Sequence, residues 1–325
     1  MTIKRTWSIL VPVCMLMLPA CGGGSTTSTS PDAASPGSDS GNKPDSGTGK
    51  DSGGGGHKDS GGGKESGGSD SAGGEASTQE GGNGEGGSEG GTFSVATLPG
   101  LALWLDAAKG ITMNAGGSVS TWADQSTNGN DATNAVEEPV YVASDFNGLP
   151  GLSFMGGTHL TIADSATSTL RFGTGDFFVA VVLKWSGTTL DGLIYSKQID
   201  TTSPYYGVGM FANFSEGSAS TSLGLQTSAT DYVQSAQGLN DGKPILAWVA
   251  RGVDILTVSV AGVATTNPLT VADDADAPDF PAYIGASPTG EALTGDIAEM
   301  IAVKGTISAA DLTSLEAYLN TKYGL

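Results

Sequence analysis

Three short stretches of this sequence carry residues able to do chemistry. "VADDADAPDFP" sets Asp273, Asp274 and Asp276 in a Pro-flanked loop, hard oxygen ligands at a spacing that suits calcium. The bland alternative is a solvated acidic loop in a chain where acids abound. "SPYYG" carries Tyr205 and Tyr206 at a loop-to-strand edge, where a ring face can stack on a sugar. Adjacent strand residues point oppositely, so one of the two reaches a given ligand more easily than the other. Trp185 ends an apolar run, where it either plugs the interior or faces outward as a third aromatic contact. "GDIAE" holds Asp296 and Glu299, the nearest approach to the carboxylate pair of glycoside hydrolysis, set about 5–5.5 Å apart in retaining enzymes. In a regular strand an odd separation sends the two to opposite faces. His159 is the one histidine after the Gly-rich segment, which argues against a His-based triad or zinc site. These residues lead to the expectation of a module that is not an enzyme.

A fourth stretch, "TWADQSTNGNDATNA", is dense in Asp and Asn and reads as a structural turn rather than a metal loop. Trp122 is the apolar plug, Asp124 accepts from the amides that follow it, Asn128-Gly129 suits positive φ, and Asn130 belongs to the same turn. A calcium loop would want a bidentate acid at its end; Asp131 can serve, but Thr133 and Asn134 beyond it replace Glu poorly.

The elements that must position these residues are mostly short strands. "LALWL", "SVSTW", "PVYV", "GLSF" and "HLTI" are β-rich runs broken by Gly, Asn-Gly and Pro, with "YYGVGMF" and "TSLGLQT" as weaker strands. "DFFVAVVLKW" is continuously apolar and predicts a central strand covered on both faces. "PILAWVARGVDILTVSVAG" is the clearest hairpin, with Leu256, Val258 and Val260 on one face and Thr257 and Ser259 on the other. One helix is predicted near the end: Ser308 caps it, Leu312, Leu315 and Leu319 form its apolar stripe, and Gly324 terminates it. It follows "DIAEMIAV", a strand apolar on both sides, so it covers one of those faces.

"LWLDAAKGI", "WADQSTNGNDA", the hairpin arm "VSVAG" and the closing "GDIAEMIAVKGTISAADLTSLEAYLNTKYGL" together resemble a laminin-G-like domain of the concanavalin A-like lectin/glucanase superfamily. The resemblance covers nearly all of residues 93–325. It implies an all-β fold, a jelly-roll sandwich of two antiparallel sheets with a short C-terminal helix. It also implies a rim that often binds glycan or protein, sometimes with calcium. It does not imply one activity, because such folds host lectins, adhesins, hydrolases and silent spacers. Glucanases of the superfamily carry Glu-x-Asp-x-Glu on one strand; here Thr294 stands where the upstream acid would be. A bulge would rescue the facing of Asp296 and Glu299 but not the missing carboxylate.

The first 92 residues divide in two. Residues 1–20 have a positive start at Lys4 and Arg5, then an apolar run too short for a permanent span. "LPAC" resembles the lipobox of bacterial lipoproteins, which implies acylation of Cys21 and anchoring in a lipid bilayer. Gly22 after Cys21 is similar to outer-membrane sorting signals, with the domain periplasmic or at the cell surface. Residues 21–92 are the lipidated Cys and a Gly/Ser/Asp-rich stretch with almost nothing to bury, a disordered linker of about 45 Å root-mean-square reach. Its "GGSEG" matches a hydrolase motif but follows no strand and opens no helix. Cys14 and Cys21 are the two cysteines of the chain, so no disulfide can staple residues 93–325. With Lys+Arg 14 against Asp+Glu 34 the net charge is −20, which excludes nucleic acid as a natural partner.

The reading is a membrane-anchored lipoprotein displaying a lectin-like module for glycan or surface protein. The alternatives are a non-catalytic structural spacer and, less favoured, a glycan hydrolase or lyase. Calcium is the one cofactor the residues suggest.

Overall fold

Phe177–Trp185 is buried at every position but Lys184, and the architecture follows from that. Alternation sends Phe177, Val179, Val181, Leu183 and Trp185 into one core and Phe178, Ala180 and Val182 into another. The computed structural model describes residues 93–165, 167–199, 201–214, 221–269 and 273–325. The signal peptide expected over residues 1–20, the Cys21 expected to be acylated and the linker expected up to residue 92 lie outside the described residues.

The strands in chain order are β1 (Leu101–Asp106), β2 (Ile111–Met113), β3 (Val119–Trp122), β4 (Ala132–Thr133), β5 (Val140–Phe146), β6 (Leu149–Met155), β7 (Leu160–Ile162), β8 (Phe177–Trp185) and β9 (Gly192–Gln198). Then come β10 (Gly207–Ala212), β11 (Leu223–Gln226), β12 (Tyr232–Gln234), β13 (Ile245–Gly252), β14 (Ile255–Val260), β15 (Val263–Pro268), β16 (Ala282–Ile284) and β17 (Thr294–Lys304), followed by helix α1 (Ala309–Tyr323). They form the two antiparallel sheets of a jelly-roll sandwich. One runs β15-β14-β13-β8-β17-β6-β5, with β1 also on β17; the other runs β12-β11-β10-β9-β16-β7-β4-β3-β2. β1 and β6 share one edge of β17: β6 pairs with Thr294 to Ile297 and β1 with Glu299 to Val303.

The core between the sheets takes Leu256, Val258 and Val260 from the hairpin, as their alternation predicts. The second core lies on the outer face of the eight-stranded sheet, under α1. Ser308 caps α1 by accepting from Asp311 N–H, Gly324 ends it at φ 65°, and Leu315, Leu319 and Tyr323 are buried beneath it.

Polar groups at this helix interface converge on Glu299. Its Oε1 accepts from Trp104 Nε1 at 2.7 Å and its Oε2 from Tyr323 OH at 2.9 Å, with Tyr318 OH 3.3 Å from Oε1. Burial pushes the Tyr318 phenol up to about 12 and raises that of Tyr323 as well, and the Glu299 charge adds to both. Unfolded tyrosines titrate near ~10, so between about pH 10 and 12 the folded chain binds more protons than the unfolded one. Stability therefore falls as pH rises through that window. Urea midpoints measured across it should drop, and Tyr323→Phe should flatten the drop; an unchanged slope in the variant would remove Tyr323 from this account.

Candidate functional site

Among the described residues no helix lies over the outer face of the nine-stranded sheet, and residues of that face lie in one cross-strand row. Register links Thr112 to Thr121, Thr121 to Thr133, Thr133 to Thr161 and Thr161 to Tyr283. It continues from Tyr283 to Ser196, Gly209, Gln226 and Tyr232. Nine strands at about 4.8 Å spacing make this line roughly 40 Å long. Hydroxyls dominate one half; an amide and aromatic rings dominate the other.

The aromatic half dips into a cavity of about 420 Å³. Leu193 and Phe211 give it an apolar floor, and Phe211 stacks on Phe214 at 5.7 Å between centroids. Two glycines let those rings lie over the strands. A Cβ on Gly209 would meet Phe211 Cε2 at 2.5 Å, and one on Gly224 would meet Phe214 Cδ1 at 2.1 Å. Gln198 and Gln226 line the same cavity, with Gln198 Nε2 donating to Gln226 Oε1 at 3.4 Å and to the Tyr205 carbonyl.

Across from them stands Glu291, on the turn between β16 and β17. Burial raises its carboxyl, but hydrogen bonds from Ser287 and Thr289 outweigh that and bring it below its usual value, so it stays ionised. Both hydroxyls donate to Oε2.

Tyr205 lines this cavity, half exposed, at a left-handed φ of 61° that costs a bulky residue about 1 kcal/mol or more. Its loop is tied down by Ala229 N–H donating to the Pro204 carbonyl at 2.6 Å. Tyr206 is equally exposed but lies outside the cavity lining. Trp185 is corrected: it is 2% exposed, points into the core between the sheets, and donates Nε1–H to Asn213 Oδ1 at 2.9 Å. It offers no face to a ligand.

The calcium reading of Asp273, Asp274 and Asp276 is corrected too. Asp273 turns inward, where its Oδ2 accepts from Thr227 Oγ1 and burial raises its carboxyl. Asp274 Oδ1 instead accepts from Asp276 N–H at 3.1 Å, an Asx turn. The Asp273 and Asp274 carboxylates have separate partners, and among the described residues no three His, Cys, Asp or Glu side chains converge on a metal position.

In the Asx-rich stretch the bonds run within the protein. Asp124 Oδ1 accepts from Trp104 N–H and Ser126 N–H, and Oδ2 from Ser126 Oγ and Asn130 N–H, all between 2.6 and 2.9 Å. Asn128 and Asn130 donate to the Leu101 and Ala102 carbonyls, Gly129 sits at φ 69°, and Trp122 is fully buried. The bond to Trp104, twenty residues upstream, is beyond any local turn rule. It makes the loop a clamp on β1.

Asp296 and Glu299 require a third correction. β17 carries a bulge at Ala298, because Ile297 faces Leu183 while Glu299 faces Val182. Asp296 faces Lys184 across the ladder and Glu299 lies under α1, so both stand on the outer face of the eight-stranded sheet. The parity argument against a carboxylate pair therefore fails.

No protein-family model matches the sequence, and no curated protein does. Solved structures do share its fold. Domain 4 of a GH43 extracellular arabinanase from Geobacillus stearothermophilus, in complex with arabinotriose, is 11% identical with a TM-score of 0.50 and is matched over 67% of this chain and 98% of that one. A GH54 arabinofuranosidase is 14% identical at a TM-score of 0.49, and the match covers 68% of this chain and 59% of that chain. Trypanosoma rangeli sialidase in complex with sialic acid is 12% identical at 0.48, over 69% of this chain and 33% of the other. At these identities the likeness is one of fold. The neighbours are enzymes or enzyme domains, which corrects the expectation that a module of this kind is not an enzyme.

Replacing Asp124 by Ala leaves four donors without their acceptor and should cost about 3 kcal/mol. Thermal melts should show the same loss in calcium and in chelator. A calcium-dependent rise in the wild-type melting temperature that the variant lacks would make this loop a metal site.

Proposed function

We propose that this chain is a laminin-G-like glycan-binding module, held at a bacterial envelope by an acylated Cys21. The observation that carries the reading is the hydroxyl row ending in the Phe211 cavity. An apolar, aromatic floor with a few placed polar groups is how small-ligand pockets are built. Tyr205 offers ring surface to the face of a sugar, above the apolar floor of Leu193 and Phe211. Gln198 and Gln226 offer paired donors and acceptors to its hydroxyls. Glu291 keeps Oε1 as an ionised acceptor, and bonds to a charged group are the stronger kind. The row of threonines leading away suits an extended chain of sugars rather than one unit. The binding of arabinotriose by a domain of the same fold supports this reading by analogy.

Lipidation follows from the sequence around Cys21, and the Gly/Ser-rich stretch behind it gives the module reach from the membrane. An outer-membrane position, periplasmic or surface-exposed, completes the proposal.

On an array of plant and microbial polysaccharides the full chain should bind at least one linear glycan. Tyr205→Ala and Gln226→Ala should each weaken that binding about tenfold or more, with unchanged melting temperature. Silence across the array, or full binding by the double variant, would sink the proposal, and sugar release in the same samples would show turnover. For the anchor, Cys21→Ser should move the chain from the membrane to the soluble fraction; a variant still in the membrane pellet counts against lipidation.

A further inference from the structure

Beneath α1 lies a three-residue cluster that the glycan reading does not use. Asp106 and Glu299 are cross-strand partners on β1 and β17, with side chains 1% and 0% exposed. Lys322 reaches down from the last turn of α1 and places Nζ 2.8 Å from Asp106 Oδ2 and 2.8 Å from Glu299 Oε2. Its ammonium lies 5.1 Å from the Tyr323 ring centroid and 5.5 Å from that of Tyr318, so the pocket is walled by aromatic surface. The other oxygen of Asp106, Oδ1, accepts from Ala108 N–H at 2.9 Å. Lys109, half exposed, stands 3.7 Å from Oδ2 and completes the charged groups around it.

We propose that this cluster closes an intramolecular isopeptide bond between Lys322 Nζ and Asp106 Cγ, with Glu299 as the proton relay. The geometry supplies each part. Amine and carboxyl are held in contact by strand register and helix docking, which replaces a bimolecular encounter with a positioned one. The Ala108 N–H polarises the Cγ–Oδ1 bond and supports negative charge on Oδ1 in the tetrahedral intermediate. Glu299 touches the nucleophile and has other donors to hold it in place.

The atoms balance as a condensation. Lys322 begins as the ammonium: burial lowers its pKa, but the two carboxylates together raise it. Burial raises Glu299 and the Asp106 charge adds to this while Lys322 opposes it, so Glu299 takes up a proton more readily than a free carboxyl. The reacting form is the one in which it carries that proton. One ammonium proton passes to Asp106 Oδ2, leaving an amine and a carboxylic acid. The Nζ lone pair then attacks Cγ, and the π pair moves to Oδ1. Glu299 gives its proton to the Oδ2 hydroxyl and takes one from Nζ. The Cγ–Oδ2 bond breaks, and water leaves with Oδ2 and two protons. An amide with one N–H remains, Glu299 ends as it began, and no oxidant or cofactor is consumed.

The driving force is the burial itself. Two opposite charges in a water-poor pocket carry a desolvation cost that a neutral amide does not. The bond would join β1 to α1 across 216 residues, in a domain that has no cysteine for a disulfide.

Trypsin mapping of the purified, denatured full chain tests this. Residues 65–109 and 305–325 each lack an internal Lys or Arg apart from Lys322. The expected product is a branched peptide joining these two segments, uncut at Lys322 and one water lighter than their sum. Chain kept in urea from synthesis onward should give linear peptides only, and so should Glu299→Gln with a wild-type circular dichroism spectrum. Linear peptides cut at Lys322 from the folded wild-type chain would overturn the proposal whatever the variant does. A branched peptide from folded Glu299→Gln would overturn the role given to Glu299.

Discussion

Two strands that are apolar on both faces, β8 and β17, oblige this protein to build two cores. One face of each closes against the nine-stranded sheet. The other would be a broad apolar patch on the eight-stranded sheet, and α1 exists to cover it. The coverage is one-sided. The nine-stranded sheet buries its inner residues in the shared core and presents Thr112, Thr121, Thr133 and Thr161 outward, with no apolar surface in that half for a helix to bury. The face open to a ligand is thus decided by where the hydrophobic residues are not needed.

Without disulfides, the long loops are tied by buried cations. The Arg251 guanidinium is buried, lies 5.0 Å from the Phe177 ring centre, and donates to the carbonyls of Gly173, Gly175 and Asp273. Lys197, also buried, donates to the Ala277 and Phe280 carbonyls and pairs with Asp164 at 3.0 Å. Each cation has several donors in fixed positions, so one side chain pins two or three loop segments. Asp124 does the same with the opposite sign at β1. The rim of the cavity inherits its order from these ties, since Lys197 and Gln198 are neighbours on β9 and face opposite sides of the sheet.

The elements that could be read from the sequence are those with a long local signal. The nine-residue run of β8, the period-two arm of β14 and the capped stripe of α1 all lie where their patterns put them. β4 and β16 escaped notice because two or three residues carry no period. Tyr205 was visible as an exposed aromatic in a turn, but its cavity partners were not. Gln198, Phe211, Gln226 and Glu291 come from four separate segments, joined only by strand pairing. The one local trace of them was Gly209 and Gly224 inside apolar strands, small residues that make room for rings. Trp185 misled because an aromatic at the end of a strand looks the same in sequence whichever way it points.

The bulge at Ala298 shows how much can hang on one unpaired residue. Period-two reasoning placed Asp296 and Glu299 on opposite faces, and that is right for any strand that keeps its register. The extra residue shifts the alternation by one, so both acids share the outer face. It also falls where the edge of β17 passes from β6 to β1, and the Ala298 carbonyl is taken by Ala107 N–H at 2.9 Å. The change of partner and the change of facing are therefore a single event. It turns Glu299 toward Asp106 and Lys322 instead of into the hydrophobic core between the sheets. A strand pattern read without its partners gives the composition of two faces, but the partners decide which residues share one.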